Sequence, residues 1–212
     1  ISYQQDQYAF GFRYEINQPP DPFIFEFDTL LQQEELTFRY AEIYHNNLTL
    51  TIGNFYALFG RGLILRTYED RNLRVDNNID GVKANYYSDF FEITALGGRV
   101  RDKYNRRKDR LYGFDGEINV TDDIKIGGSF LRNQFSDNVF SDIRSIRGHV
   151  IYSDFDLYTE FSNKSGNDEV SNYSSLSYSG EYFTMLAEYK DYNQLTFASS
   201  FGTEYNAPPA LT

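Results

Sequence analysis

The chain has 212 residues, with 31 acidic against 20 basic side chains, a formal charge of -11, and neither Cys nor Trp. Nineteen Tyr and nineteen Phe make it 18% aromatic, yet its mean hydropathy of -0.57 is that of a polar protein. The acid excess argues against a nucleic-acid partner, which needs a basic footprint, and no apolar run approaches the roughly 18 residues of a membrane-spanning helix.

From the start of the chain, aromatic and polar residues alternate with period two. Tyr8, Phe10, Phe12, Tyr14 and Ile16 fall on one face of an extended segment, and Ala9, Gly11, Arg13 and Glu15 on the other. Segments of this kind predict about thirteen strands, at 6–16, 23–29, 35–45, 48–57, 81–88, 90–99, 110–120, 123–133, 143–153, 154–162, 170–179, 181–190 and 193–203. Lengths of roughly 8–12 residues suit tilted membrane strands better than the shorter strands of soluble sheets. Short turns at 45–47, 88–89, 121–122, 153–154 and 179–181 alternate with longer polar stretches at 66–80, 99–110, 133–142 and 162–169. Tight turns at one end and long loops at the other are the asymmetry of outer-membrane barrels. The pattern therefore predicts an all-β, antiparallel transmembrane β-barrel forming a single domain over 1–212. The chain begins without Met or a signal peptide and ends irregularly, so we read it as a mature, incomplete piece of an exported polypeptide. One further strand before Ile1 brings the count to about fourteen, an even number.

Cost decides which face meets lipid. Arg or Lys at the bilayer midplane costs about 2–4 kcal/mol, so the charged face lines the lumen. This sends Phe91, Ile93, Ile126 and Phe130 outward. It sends Arg39, Glu92, Asp115, Glu117, Arg147, Asp156 and Glu160 inward, where opposite charges satisfy one another. Tyr44, Tyr86, Tyr87 and Tyr152, near strand ends, suit an interfacial girdle.

Gly53-Asn54-Phe55-Tyr56-Ala57-Leu58-Phe59-Gly60-Arg61-Gly62-Leu63-Ile64-Leu65 breaks the alternation. Two glycines around an arginine allow the chain to turn inward and set Arg61 at a constriction; a bulged strand end or packed loop root is the plainer reading. With Tyr68-Glu69-Asp70-Arg71-Asn72-Leu73-Arg74, Asp80-Gly81-Val82 and Tyr205-Asn206-Ala207-Pro208-Pro209, this segment resembles uncharacterised outer-membrane β-barrel proteins of Bacteroidota-like bacteria. The resemblance implies a barrel in the outer membrane and a chain continuing past the Pro-Pro step. It supplies no substrate and no catalytic residue.

Three further clusters carry weaker chemistry. Asp76, Asn78 and Asp80, followed by Gly81, match half of a calcium loop, but Tyr87 stands where the bidentate Glu belongs. An Asx-rich turn is the simpler reading. Arg101, Lys103, Arg106, Arg107 and Lys108 form an external basic loop suited to lipid phosphate or an acidic partner, or to plain solvation. The two histidines, His45 and His149, do not make a His/Cys metal site, and no G-x-S-x-G elbow is present. The expectation is a porin-like, non-enzymatic channel for small polar solutes or ions, without a cofactor, held in outer-membrane lipid. The alternative is a structural or scaffolding barrel that works through its loops and envelope protein partners.

Overall fold

In the computed structural model, residues 1–17, 33–70, 72, 75–102, 106–193, 195–200 and 202–209 are described, and none of them is helical. The first half of the chain forms β1 (Ser2–Gln5), β2 (Tyr8–Asn17), β3 (Gln33–His45), β4 (Leu48–Phe55), β5 (Leu58–Phe59), β6 (Leu65–Arg66), β7 (Glu69–Asp70), β8 (Val75–Asp76) and β9 (Ile79–Tyr87). The second half forms β10 (Phe91–Val100), β11 (Arg110–Thr121), β12 (Ile124–Ser136), β13 (Val139–Tyr152), β14 (Phe155–Lys164), β15 (Ser171–Ser179) and β16 (Thr184–Asp191). Twelve of these make one antiparallel sheet, ordered β1-β2-β3-β4-β9 and then consecutively to β16. The all-β antiparallel expectation is met.

The alternation sorts side chains as the charge argument requires. Phe10, Phe12, Phe114, Ile118, Ile126, Ile146 and Leu157 are exposed on the outward face. Their inward neighbours Thr51, Ser129, Arg147, Glu160 and Ser175 are buried. No pairing joins β1 to β16 among the described residues, yet the sheet curls, because widely separated strands grip one inner segment. Arg13 on β2 and Glu160 on β14 both bond to residues of 56–78. The wall is that of a β-barrel.

The described residues of 56–78 leave the sheet between β4 and β9 and fold inward as a plug built on the β5–β6 and β7–β8 pairs. The described residues of 195–209 lie beside it as a strap. Arg66 and Ala207 donate backbone N–H groups to Tyr205 and Gly62, at 2.8 and 3.1 Å. Phe59, Leu63, Ile64 and Leu65 of the plug, Leu195, Phe197 and Tyr205 of the strap, and Ile79, Val100, Leu111, Leu131 and Ile143 of the wall form one buried apolar cluster. It fills the end of the interior where the long connections lie.

Three expectations change. Among the described residues of 193–203 the expected strand does not form; Ala198 makes an isolated bridge to Glu204, because Leu195 and Phe197 bury against the plug. The polar stretch 133–142 is not a long loop: β12 and β13 run on to a tight turn at 137–138. Tyr44 points inward to Glu42 rather than to a girdle. The strand expected at 23–29 lies outside the described residues.

Candidate functional site

The inner wall below the plug carries a charge network, and register brings it together. Glu117, Gly127 and Arg147 stand side by side on β11, β12 and β13, and Asp115, Ser129 and Ser145 form the neighbouring row. Gly127 presents no side chain, and a Cβ there would lie 2.7 Å from Arg147 Nε. Arg147 therefore reaches across β12. Its Nη1 and Nη2 donate to the Asp115 carboxylate at 2.8 and 3.1 Å, and its Nε donates to Glu117 at 3.1 Å. Ser129 Oγ accepts from Arg147 at 3.0 Å and donates to Asp115. Lys125 adds a second cation 3.7 Å from Glu117. His149 and Asp156 meet at 3.0 Å across β13 and β14.

Glu160 is fully buried and holds the plug tip. Its carboxylate accepts from Ser145 Oγ at 2.8 Å, Tyr158 OH at 2.7 Å and the Arg61 backbone N–H at 3.1 Å. Gly60 and Gly62, with φ of 53° and 88°, make the turn that presents this N–H. The Arg61 side chain stays exposed, its guanidinium 4.7 Å above the Tyr158 ring. Arg61 is thus a cation on the inner face, at the boundary between plug and polar wall. Glu92 is exposed on the inward-facing side of β10, in register with Glu117.

Arg39 does not join this lumen set. It shares the outward face with Phe12 and Ala41 and contacts Asp80 at 3.4 Å. The calcium reading is also overturned. Asp76 accepts from Arg13 at 3.1 Å, Arg101 at 3.0 Å, Tyr56 at 2.9 Å and Asn78 at 2.7 Å, while Asn78 Oδ1 accepts from Asn54 and Arg107. Cationic and amide donors occupy the oxygens a metal would need. Nor is the basic loop a free external patch. Arg101 is buried on Asp76, Arg106 pairs with Asp102 at 3.1 Å, and Arg107 donates inward to Asn78 and Arg99 carbonyls at 3.0 Å. Lys108 is exposed, and Lys103 lies outside the described residues.

Sequence reasoning missed two anchors of the interior. Asp109 accepts from Ser200 N and Oγ, both at 2.6 Å, and so ties the strap to the wall. Asn206 donates to the Leu63 and Leu195 carbonyls at 2.9 and 2.8 Å and accepts from Phe197 N–H at 3.0 Å. Burial pushes the hydroxyl pKa of Tyr56 and Tyr205 upward, and the charges of Asp76 and Asp109 add to the effect.

The sequence profile of a family of unknown function, DUF6029, matches residues 1–212. The chain belongs to the DUF6029 family. No curated protein matches this DUF6029 chain. Solved structures similar to it include outer-membrane expressed OmpT of Vibrio cholerae, with 12% identity over 97% of this chain and 74% of that one, and a TM-score of 0.49. A mutant porin of Rh. blastica is similar at 12% identity over 91% and 83% of the two chains, with a TM-score of 0.45.

Proposed function

We propose that this chain forms the wall of an outer-membrane β-barrel in a Gram-negative-type, Bacteroidota-like bacterium, and that it passes small polar solutes or ions without catalysis. The observation that carries the reading is the division of the wall. Large apolar side chains are exposed on the outward face, while the Arg147–Asp115–Glu117 network lies on the inner one. A soluble sheet leaves no such band facing water, whereas lipid requires it. Solute then moves along the charged wall, and the turn at Arg61 sets the width where polar wall meets plug.

A second reading has its own support. The apolar cluster joining 56–78 to 195–209 suits a closed, scaffolding barrel that works through loops and envelope protein partners. Single-channel recording of the full-length protein in a planar bilayer separates the two. Discrete, salt-dependent steps that grow in Arg61→Ala support passage past the plug. A silent bilayer, with folding verified by heat-modifiable gel mobility, refutes passage and leaves the scaffold.

A further inference from the structure

Outward-facing arginines recur along the long-connection edge of the wall. Arg99 lies beside the buried Val100 and Arg110 beside the buried Leu111, so each points to the opposite, outer face. Arg132 stands in register with Tyr112, and Arg144 with Phe130, both exposed outward rings. Arg99, Arg132 and Arg144 are each eight residues from the short-turn end of their strands, counted from Phe91, Ile124 and Tyr152. Eight residues span about 27 Å of strand, and a tilt of about 40° leaves about 21 Å of height. The outward apolar band of a membrane barrel is about 25 Å tall. These arginines therefore share one level, near the upper rim of that band. Arg110, eleven residues from Thr121, stands above it.

Below the rim the same strands present Ile126, Phe130, Ile146 and Val150 to the outside. At the rim, Arg132 already has a carboxylate, Asp142, at 2.7 Å through both Nε and Nη2, and lies 4.4 Å over the Phe140 ring. Arg99, Arg110 and Arg144 are exposed, and no ion pair engages their guanidinium groups among the described residues. In a chain of net charge -11, the three unpartnered guanidinium groups thus gather at one edge of an apolar surface. A planar, permanently charged fork matches the geometry of a phosphate.

We propose that Arg99, Arg110 and Arg144 bind the phosphate groups of membrane lipids at the outer rim of the apolar band. The inference rests on the outer-membrane reading above. A lipid is the occupant because the guanidinium groups border the hydrocarbon-facing surface, where an acyl chain lies against Phe130 and Ile146 while its phosphate meets the fork. Arg101 and Arg107, which turn inward, are not part of this belt.

The test uses the full-length protein in phosphatidylcholine vesicles doped with spin-labelled phosphatidic acid or spin-labelled phosphatidylcholine. The expected result is about fivefold enrichment of the phosphatidic acid beside the protein at low salt, weakening as salt rises. Enrichment falls towards that of phosphatidylcholine in R99Q/R110Q/R144Q and is kept in Lys125→Gln, on the inner face. If the triple variant fails to fold, Arg99→Gln and Arg144→Gln alone each lower the preference. Insertion with equal affinity for both labels, or full enrichment in the folded triple variant, overturns the belt alone. No motionally restricted lipid of either kind overturns the membrane reading, and the belt with it.

Discussion

Replacing Arg147 by Met removes the one guanidinium that two inner-wall carboxylates share. The Arg147 side chain is 5% exposed, so its charge is held almost entirely by Asp115 and Glu117 at 2.8 and 3.1 Å. Breaking a buried pair by removing one partner costs about 3–5 kcal/mol, chiefly because the remaining charge is stranded. Here the stranded side chains keep 17% and 29% exposure, and Lys125 stays near Glu117. Water and that lysine recover part of the loss, which we place at about 2–4 kcal/mol. Neutralising all three positions together, as R147M/D115N/E117Q, removes the stranded charge and should return stability to within about 1–2 kcal/mol of the native protein. Denaturant unfolding in detergent micelles, followed by β-sheet circular dichroism, measures both. A loss under about 1 kcal/mol in Arg147→Met, or a triple variant no better than the single one, would refute the network as a desolvated unit.

Two further predictions concern the plug. Gly62→Ala puts a Cβ 2.6 Å from the Ala207 carbonyl oxygen at a φ of 88°, so strap and turn must separate. We expect a loss of about 1–3 kcal/mol in plug stability, seen as faster proteolysis within 56–78 on an intact wall; unchanged protection would count against the strap contact. Alkaline pH should release the plug as well. Tyr56 and Tyr205 have folded pKa values raised above the unfolded value of about 10. Their contribution is therefore complete below about pH 10 and is lost as pH rises through the folded values. Phenolate absorbance and proteolysis, measured together, should show ionisation and plug release coinciding, and Tyr205→Phe should shift that release. Ionisation of both tyrosines at ordinary pH with the plug still protected would refute the coupling.

The wall was legible in the sequence because strand side chains alternate faces whatever the partners, so spacing and the cost of a charge in lipid sent Ile126 and Phe130 outward and Asp115 and Glu117 inward. Arg39 shows where that reasoning overreached. Its own alternation places it with Ala41 and Ile43, but the cost of a lipid-facing charge was applied to it as if it lay at the midplane. Its register with Phe12 and its contact with Asp80 reveal its face and level. The basic loop, expected outside, and the Asp76–Asp80 half-loop, with calcium its weaker reading, depart from the local pattern for one common reason. Each looks unpartnered locally, and Asp76 and Asn78 find their arginines at 101 and 107, in the other cluster. Leu195 and Phe197 alternate as a strand does, but the plug offers them an apolar surface to bury against.

Asn206 tests whether the plug and strap form one device. Its side chain satisfies three backbone groups at once, the carbonyls of Leu63 and Leu195 and the N–H of Phe197, at 2.9, 2.8 and 3.0 Å. All three belong to the interior, and none to the wall strands. Asn206→Asp keeps the size and the acceptor but turns both donated bonds into contacts between a carboxylate and carbonyl oxygens. Each buried group left unsatisfied costs about 1–3 kcal/mol, so strap and plug should part while the wall persists. The wall is able to persist because its hairpins pair neighbours in sequence, whereas Asn206 reaches a residue far away along the chain. The expected signature is native heat-modifiable mobility together with rapid cleavage in both 56–78 and 195–209. Cleavage in one stretch alone means the two are held independently. Collapse of the wall in step with the plug means that the interior, rather than the strand ladder, organises the barrel.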